Sequence, residues 1–234
     1  MSEKLYVAIG DIHGELQRLK SLHQLARAHA AQFHPNLKLV FVHLGDLVDR
    51  GPNSCGVIEY LMNLHEQSPE TVTLKGNHEE LMLDSYPNGE AYLDRAWLDW
   101  GGKETLSSYA ERDLEHPPKD HLDWISALPH IVDDAARKLI FVHAGVHPEH
   151  YPKCSAQLHL WTRRRDFFNP EHWVANQLQG VTIVHGHTPT KDDKPDVAEF
   201  DGRRRINVDT GAVYGGVLTA VVLAPNEKEV FLYA

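Results

Sequence analysis

Gly45-Asp46-Leu47-Val48-Asp49-Arg50-Gly51 stands directly behind an apolar run from Leu37 to Leu44. The run is short and bounded by Pro35-Asn36, so it reads as a buried strand. The polar stretch after it holds two carboxylates three positions apart and a guanidinium beside the second. Upstream, Gly10-Asp11-Ile12-His13-Gly14 follows a second strand-like run, Leu5 to Ile9; downstream, Gly76-Asn77-His78-Glu79 follows Val72 to Leu74. Helical spacing comes after each polar loop. Leu16, Leu19, Leu22, Leu25 and Ala26 predict a helix from Gly14 to about Ala31. Val57, Ile58, Leu61 and Leu64 predict another from about Cys55 to Glu66, capped by Pro52-Asn53-Ser54, and a third starts after Asn77. This strand-loop-helix repetition implies a largely parallel sheet with helices packed on it, its loops gathered at one end.

The chain then changes character. A helical insertion at about 86–128 carries Trp97, Trp100 and Trp124 and the breakers Gly101-Gly102 and Pro117-Pro118. Its tryptophans read as anchors to the core, with a wall of the substrate site as the alternative. Strands are expected at Ile131–Asp133, Lys138–Val142 and Val181–Val184, with a polar loop from Val146 to about Arg165. Asp201-Gly202 between Val197–Phe200 and Arg203–Val208 is a strong hairpin signal. A last hairpin, Val217–Leu223 with Glu229–Tyr233, turns at Pro225-Asn226. No linker, repeat or low-complexity tract interrupts 1–234, so one domain is expected.

Bulk properties narrow the class. At 234 residues the chain can bury a substantial core. The net charge is -10 and the tight basic runs are Arg163-Arg164-Arg165 and Arg203-Arg204-Arg205, which argues against a nucleic-acid groove. No apolar run reaches membrane-spanning length. Two cysteines, Cys55 and Cys154, make no disulfide framework; free thiols and the absence of a signal-type leader point to a cytoplasmic protein.

The chemistry lies in the loops. Asp11, His13 and Asp46 come from the first two strand ends; Asn77, His143 and His187 come from three others. Two carboxylates, three imidazoles and an amide oxygen suit Mn, Fe or Zn better than Ca or Mg. Six protein ligands suit two ions when one carboxylate bridges, and Asp46 is the natural bridge. Asp11 and His13 complete one ion; Asn77, His143 and His187 complete the other. Two such ions, about 3.5–4 Å apart, can activate water and clamp the oxygens of a phosphoryl group. His78, next to Asn77, is placed to protonate a leaving oxygen, with Asp49 orienting it. Arg50 and Arg163 are the expected phosphate binders, with Arg164 and Arg165 as alternatives to the latter. The remaining histidines among the seventeen, including His147, His150 and His185, read as ordinary core or surface residues.

These motifs, with His143-Ala144-Gly145, Trp161-Thr162-Arg163, Gly186-His187-Thr188-Pro189 and Asn207-Val208-Asp209-Thr210-Gly211, closely resemble the signature of the phosphoprotein phosphatase family of metallophosphoesterases. The version here resembles the short bacterial and lambda-phage-like serine/threonine phosphatases. That resemblance implies a calcineurin-like β-sandwich of two mixed sheets flanked by helices (α/β, α+β), two divalent ions, manganese first, and a phosphoprotein or phosphopeptide substrate. It implies the same six ligands, His78 with Asp49 as acid, and Arg50 with Arg163 on phosphate. Pro189 stands where relatives acting on cyclic nucleotides or nucleic acids carry a second histidine, so neither substrate is expected. The nearest enzyme rival is a symmetrical bis(5'-nucleosyl)-tetraphosphatase, whose pattern often lacks the acid found here at Asp49. A catalytically dead phosphoprotein-binding domain would have lost His78, Asp49 or a ligand.

Overall fold

Leu5, Val7 and Ile9 alternate with Tyr6 and Ala8 along strand β1 (Lys4–Ile9), and all five are buried. A strand buried on both faces needs a layer on each side. Leu5, Val7 and Ile9 meet helices; Tyr6 and Ala8 meet a second sheet. The computed structural model describes residues 3–234; Met1 and Ser2 lie outside the described residues.

The first sheet adds β2 (Lys38–His43) and β3 (Val72–Thr73) parallel to β1, in the order β1-β2-β3. On the other edge of β1 lie β9 (Thr219–Leu223) and β10 (Val230–Tyr233), both antiparallel to their neighbours. Helices α1 (Leu16–Phe33) and α2 (Ser54–Gln67) connect the parallel strands and α3 (Asn77–Asp84) follows β3, as the periodicity predicts. α1 buries Leu16, Leu19, Leu22, Ala26 and Ala30 on one stripe, while Leu25 is exposed. Asn53 caps α2 by accepting from the Gly56 N–H at 2.9 Å.

The second sheet was legible only as separate strands. β4 (Ile131–Asp134), β5 (Leu139–Val142), β6 (Thr182–His185), β7 (Asp196–Phe200) and β8 (Arg203–Asn207) assemble in the order β4-β5-β6-β8-β7. β5, β6 and β8 run parallel, and the outer strands antiparallel. The fold is thus two mixed sheets face to face, as the family resemblance implies, and the parallel reading holds for β1, β2 and β3. Tyr6 and Phe141 pack between the sheets, and the Tyr6 hydroxyl donates to Asp134 on β4 at 2.9 Å. Asp201 and Gly202 both take positive φ in the β7–β8 turn, as a two-residue hairpin requires.

The stretch 86–128 is helical. A single turn α4 (Arg95–Trp97), a wide turn Leu98–Gly102, α5 (Lys103–Ala110) and α6 (Lys119–Ala127) follow one another. One expectation fails: the stretch read as loop from Val146 holds α7 (Ala156–Trp161), begun by Ser155 accepting from the Leu158 N–H. Six residues are too few for the spacing to show. No helix among the described residues is long and apolar enough to cross a membrane.

Not every histidine serves the strand ends. His23 on α1 and His43 on β2 are hydrogen-bonded at 3.0 Å in the core, and Tyr60 and Thr73 take their other nitrogens. Burial, with Arg27 adding to it, pushes His23 down to about 3. His23 is therefore neutral when folded and gains a proton on unfolding below about pH 6.5. Its contribution to stability is complete above that pH and falls toward pH 3 by about 1.4 kcal/mol per unit. Urea unfolding of wild type and His23→Gln at pH 7 and 5 should show a shallower loss in the variant; equal losses would rule this out.

Candidate metal centre

The parallel strands of both sheets end on one side, and the polar loops meet there. Asp11, Asp46 and Asn77 lie just past β1, β2 and β3; His143 and His187 lie just past β5 and β6. The loops are bent hard. φ is +43° at His13, +50° at Asp46, +73° at Asp49, +67° at Arg50 and +68° at His187. Non-glycine residues rarely take this region, and such backbone persists only when its surroundings over-determine it.

Glu79 provides that constraint. Its carboxylate is fully buried and accepts four backbone N–H groups: Asp46 at 2.9 Å, Leu47 at 2.7 Å, Val48 at 3.2 Å and Gly76 at 2.8 Å. One side chain thus clamps the loop after β2 to the loop after β3. The loops approach so closely that a Cβ on Gly45 would lie 2.5 Å from the Gly76 nitrogen. Burial and Asp46 push the Glu79 carboxyl up to about 7 against the pull of its backbone donors.

The candidate ligands gather around Asp46. Oδ1 lies 3.4 Å from His143 Nε2, and Oδ2 lies 3.6 Å from His13 Nε2. His143 Nε2, His187 Nδ1 and Asn77 Oδ1 are mutually within 3.2 Å. Backbone carbonyls set the rings: His13 Nδ1 donates to Val48 O at 2.8 Å, and His143 Nδ1 donates to Leu44 O at 2.9 Å. Each neutral ring then turns its Nε2 lone pair inward. Burial lowers the pKa of His13 to about 3, that of His187 to about 3, and that of His143 as well. Neutral imidazoles, a carboxylate and an amide oxygen pointing at one another are a donor set that fits cations. Two triads are compact enough to hold an ion: His13, Asp46 and His78, and Asp46, His143 and His187. Asp11 lines the same pocket but is outside both triads; its two oxygens accept the His187 N–H at 3.1 Å.

His78 and Asp49 are paired as expected, Nδ1 to Oδ2 at 2.7 Å. Burial opposes a charge on His78, but Asp46 and Asp49 beside it raise its hold on a proton above the ordinary value. Asp49 is braced by residues the sequence reading left without a role here. Trp97 Nε1 donates to both its oxygens at 3.0 Å, and Thr105 Oγ1 donates to Oδ1 at 2.7 Å. The insertion therefore builds the site as well as the core. Trp97 is fully buried, whereas Trp100 is 46% exposed and lines the pocket. Gly101 O accepts the Arg50 N–H at 3.1 Å, which fixes that wall to the loop after β2. Both expected phosphate binders reach the centre: Arg50 lies 2.7 Å from His13 Nε2, and Arg163 donates to His187 Nε2 at 3.2 Å. Arg164 instead pairs with Asp166, and neither it nor Arg165 lines the pocket. His185 is buried against Arg205 and the Gly186 carbonyl, away from the ligand cluster.

A family model for calcineurin-like phosphoesterases matches residues 5–216. Among curated relatives, the asymmetrical bis(5'-nucleosyl)-tetraphosphatase PrpE of Anoxybacillus flavithermus is 28% identical over 93% of this chain and 89% of its own. The protein of the same name from Bacillus cereus is 30% identical over 92% and 89%. The cold-active protein-tyrosine phosphatase of a psychrophilic Shewanella species shares the fold, with a TM-score of 0.62 and 18% identity over 99% of this chain and 81% of its own.

Glu79→Gln tests the clamp. It replaces one acceptor with an amide that faces backbone donors, so stability should fall by about 2–4 kcal/mol. A loss below about 0.5 kcal/mol in urea unfolding would show that other contacts hold these loops.

Proposed function

The chain belongs to the calcineurin-like phosphoesterase family, and we propose that within it this protein hydrolyses phosphomonoesters on serine and threonine side chains of proteins, with tyrosine as a further target. Asp11, His13 and Asp46 would hold one divalent ion; Asn77, His143 and His187 would hold the other, with Asp46 between them. Manganese is the first choice, with iron or zinc as alternatives. Bound there, the ions would supply an activated water and neutralise charge on the phosphoryl oxygens. Arg50 and Arg163 would bind non-bridging oxygens, a task suited to the planar guanidinium. The free thiols Cys55 and Cys154 support action in a reducing compartment such as the cytoplasm.

One observation carries the substrate class: the 2.7 Å His78–Asp49 pair, held from behind by Trp97 and Thr105. A serine or threonine alkoxide leaves poorly unless protonated as the P–O bond breaks. A rigid, buried acid at the edge of the ligand cluster answers that need. A second reading is hydrolysis of dinucleoside polyphosphates. It is supported by the activity in the relatives' names, asymmetrical rather than the symmetrical cleavage considered from the motifs. It is also supported by Trp100 and Tyr214, which line the pocket and are 46% and 63% exposed. Exposed rings of this kind stack on nucleobases for about 1–3 kcal/mol per base.

Initial rates after chelation and Mn restoration, on a phosphothreonine peptide and on diadenosine tetraphosphate, separate the readings. Faster peptide turnover is expected; faster dinucleotide cleavage would replace the first reading with the second. His78→Asn should lower kcat on alkyl phosphates by about 10²–10⁴-fold and on aryl phosphates by much less. Equal losses on both would remove the acid role.

A further inference from the structure

Asp209 is 3% exposed and lines the pocket with Asp11, His13 and Asp46. Its Oδ1 accepts the Gly211 N–H at 3.1 Å, while its Oδ2 is buried and receives no hydrogen bond. It stands beside Asp11, close enough for the two carboxyl groups to share a proton. Gly186 packs against both residues. A Cβ on Gly186 would run into the Asp11 carboxylate and lie 3.6 Å from the Asp209 Cβ. Asp209 N donates to Asn207 Oδ1 at 3.0 Å, and its carbonyl accepts from Thr190 N at 3.0 Å, so the residue cannot turn away freely. Two buried carboxyl groups pressed together cannot both stay charged unless a cation lies between them; otherwise one must keep a proton.

We propose that Asp209 is a seventh residue of the metal centre, sharing with Asp11 the cation on the His13 side. The charge count favours this. Two divalent ions bring four positive charges, and Asp11, Asp46 and Asp209 bring three negative ones. Arg50 and Arg163 then remain for the anionic substrate. Asp209 would give the Asp11 side a second carboxylate of its own, while the other side has Asn77 and two imidazoles. This inference rests on the two-ion reading above.

Asp209→Asn tests it, because the amide oxygen can still accept the Gly211 N–H while the charge is lost. Chelator-stripped wild type and variant are titrated with Mn, with bound metal counted by mass spectrometry after dialysis and affinity measured by calorimetry. Two ions are expected for wild type. The variant should hold one with unchanged affinity and the other about 10–100-fold more weakly. The stripped variant should melt no lower than stripped wild type, and Mn should raise its Tm by less. Two ions at wild-type affinity in the variant would overturn the proposal and leave the two-ion reading intact. A stripped variant that melts lower or does not fold would make Asp209 a structural brace and overturn it equally. Wild type that fails to bind two ions would overturn the two-ion reading and this inference with it.

Discussion

A single buried carboxylate sets the geometry on which the site depends. Glu79 gathers the N–H groups of Asp46, Leu47, Val48 and Gly76. Without those acceptors, four backbone donors would be buried in a loop that has no ladder partner, each costing about 1–3 kcal/mol. With them, the loop is held through Asp46 and into the positive-φ pair Asp49 and Arg50. The same carboxylate closes the first turn of α3 through Gly76, so the helix that presents Asn77 and His78 is fixed to the strand end that presents Asp46. The His78 N–H then donates to Asp46 Oδ1 at 3.1 Å. Asp46, Asn77 and His78 are thereby one rigid piece.

The histidines divide by what their second nitrogen meets. His13 and His143 each give one N–H to a main-chain carbonyl and turn the other nitrogen toward Asp46. His23 and His43 spend both nitrogens on neighbours in the core: each other, Tyr60 and Thr73. Both kinds are buried, and burial lowers the pKa of both. A low pKa therefore does not identify a ligand. What sets the candidate ligands apart is a lone pair turned toward Asp46 and the pocket rather than toward a core hydroxyl or another core ring.

This division explains what could be read from the chain. The candidate ligands, which the fold gathers at one pocket, were legible because each follows a strand and the residue types suit hard or borderline cations. The hairpin at Asp201-Gly202 and the helices after the first two loops were legible from local spacing. The pairing of the second sheet was not, since β5, β6 and β8 are separated by long stretches without regular period. Glu79 stood within a quoted motif, yet nothing in Gly-Asn-His-Glu says that its carboxylate accepts four N–H groups. Trp97 and Thr105 meet Asp49 across 48 and 56 residues, contacts that only the folded insertion creates. Asp209 was quoted within Asn207-Val208-Asp209-Thr210-Gly211, but its approach to Asp11 depends on Gly186. In each case the missing information was a long-range approach set by packing.

The centre itself does not choose the substrate, because cations that polarise phosphoryl oxygens serve monoesters and anhydrides alike. Choice lies in the leaving group and the rim. The braced His78–Asp49 pair matters most for an alkoxide and little for a nucleoside phosphate, which leaves readily as an anion. The exposed rings at the rim matter little for an alkoxide and much for a nucleobase. The insertion touches both features. Trp97 holds Asp49 from behind, Trp100 faces the pocket, and Gly101 next to it is tied to Arg50. A change in the wall therefore reaches the acid within a few residues, and specificity and leaving-group chemistry are mechanically coupled. A domain whose brace for this pair and whose rim lay on separate elements could tune either alone; here the insertion both braces the His78–Asp49 pair and carries Trp100 of the rim.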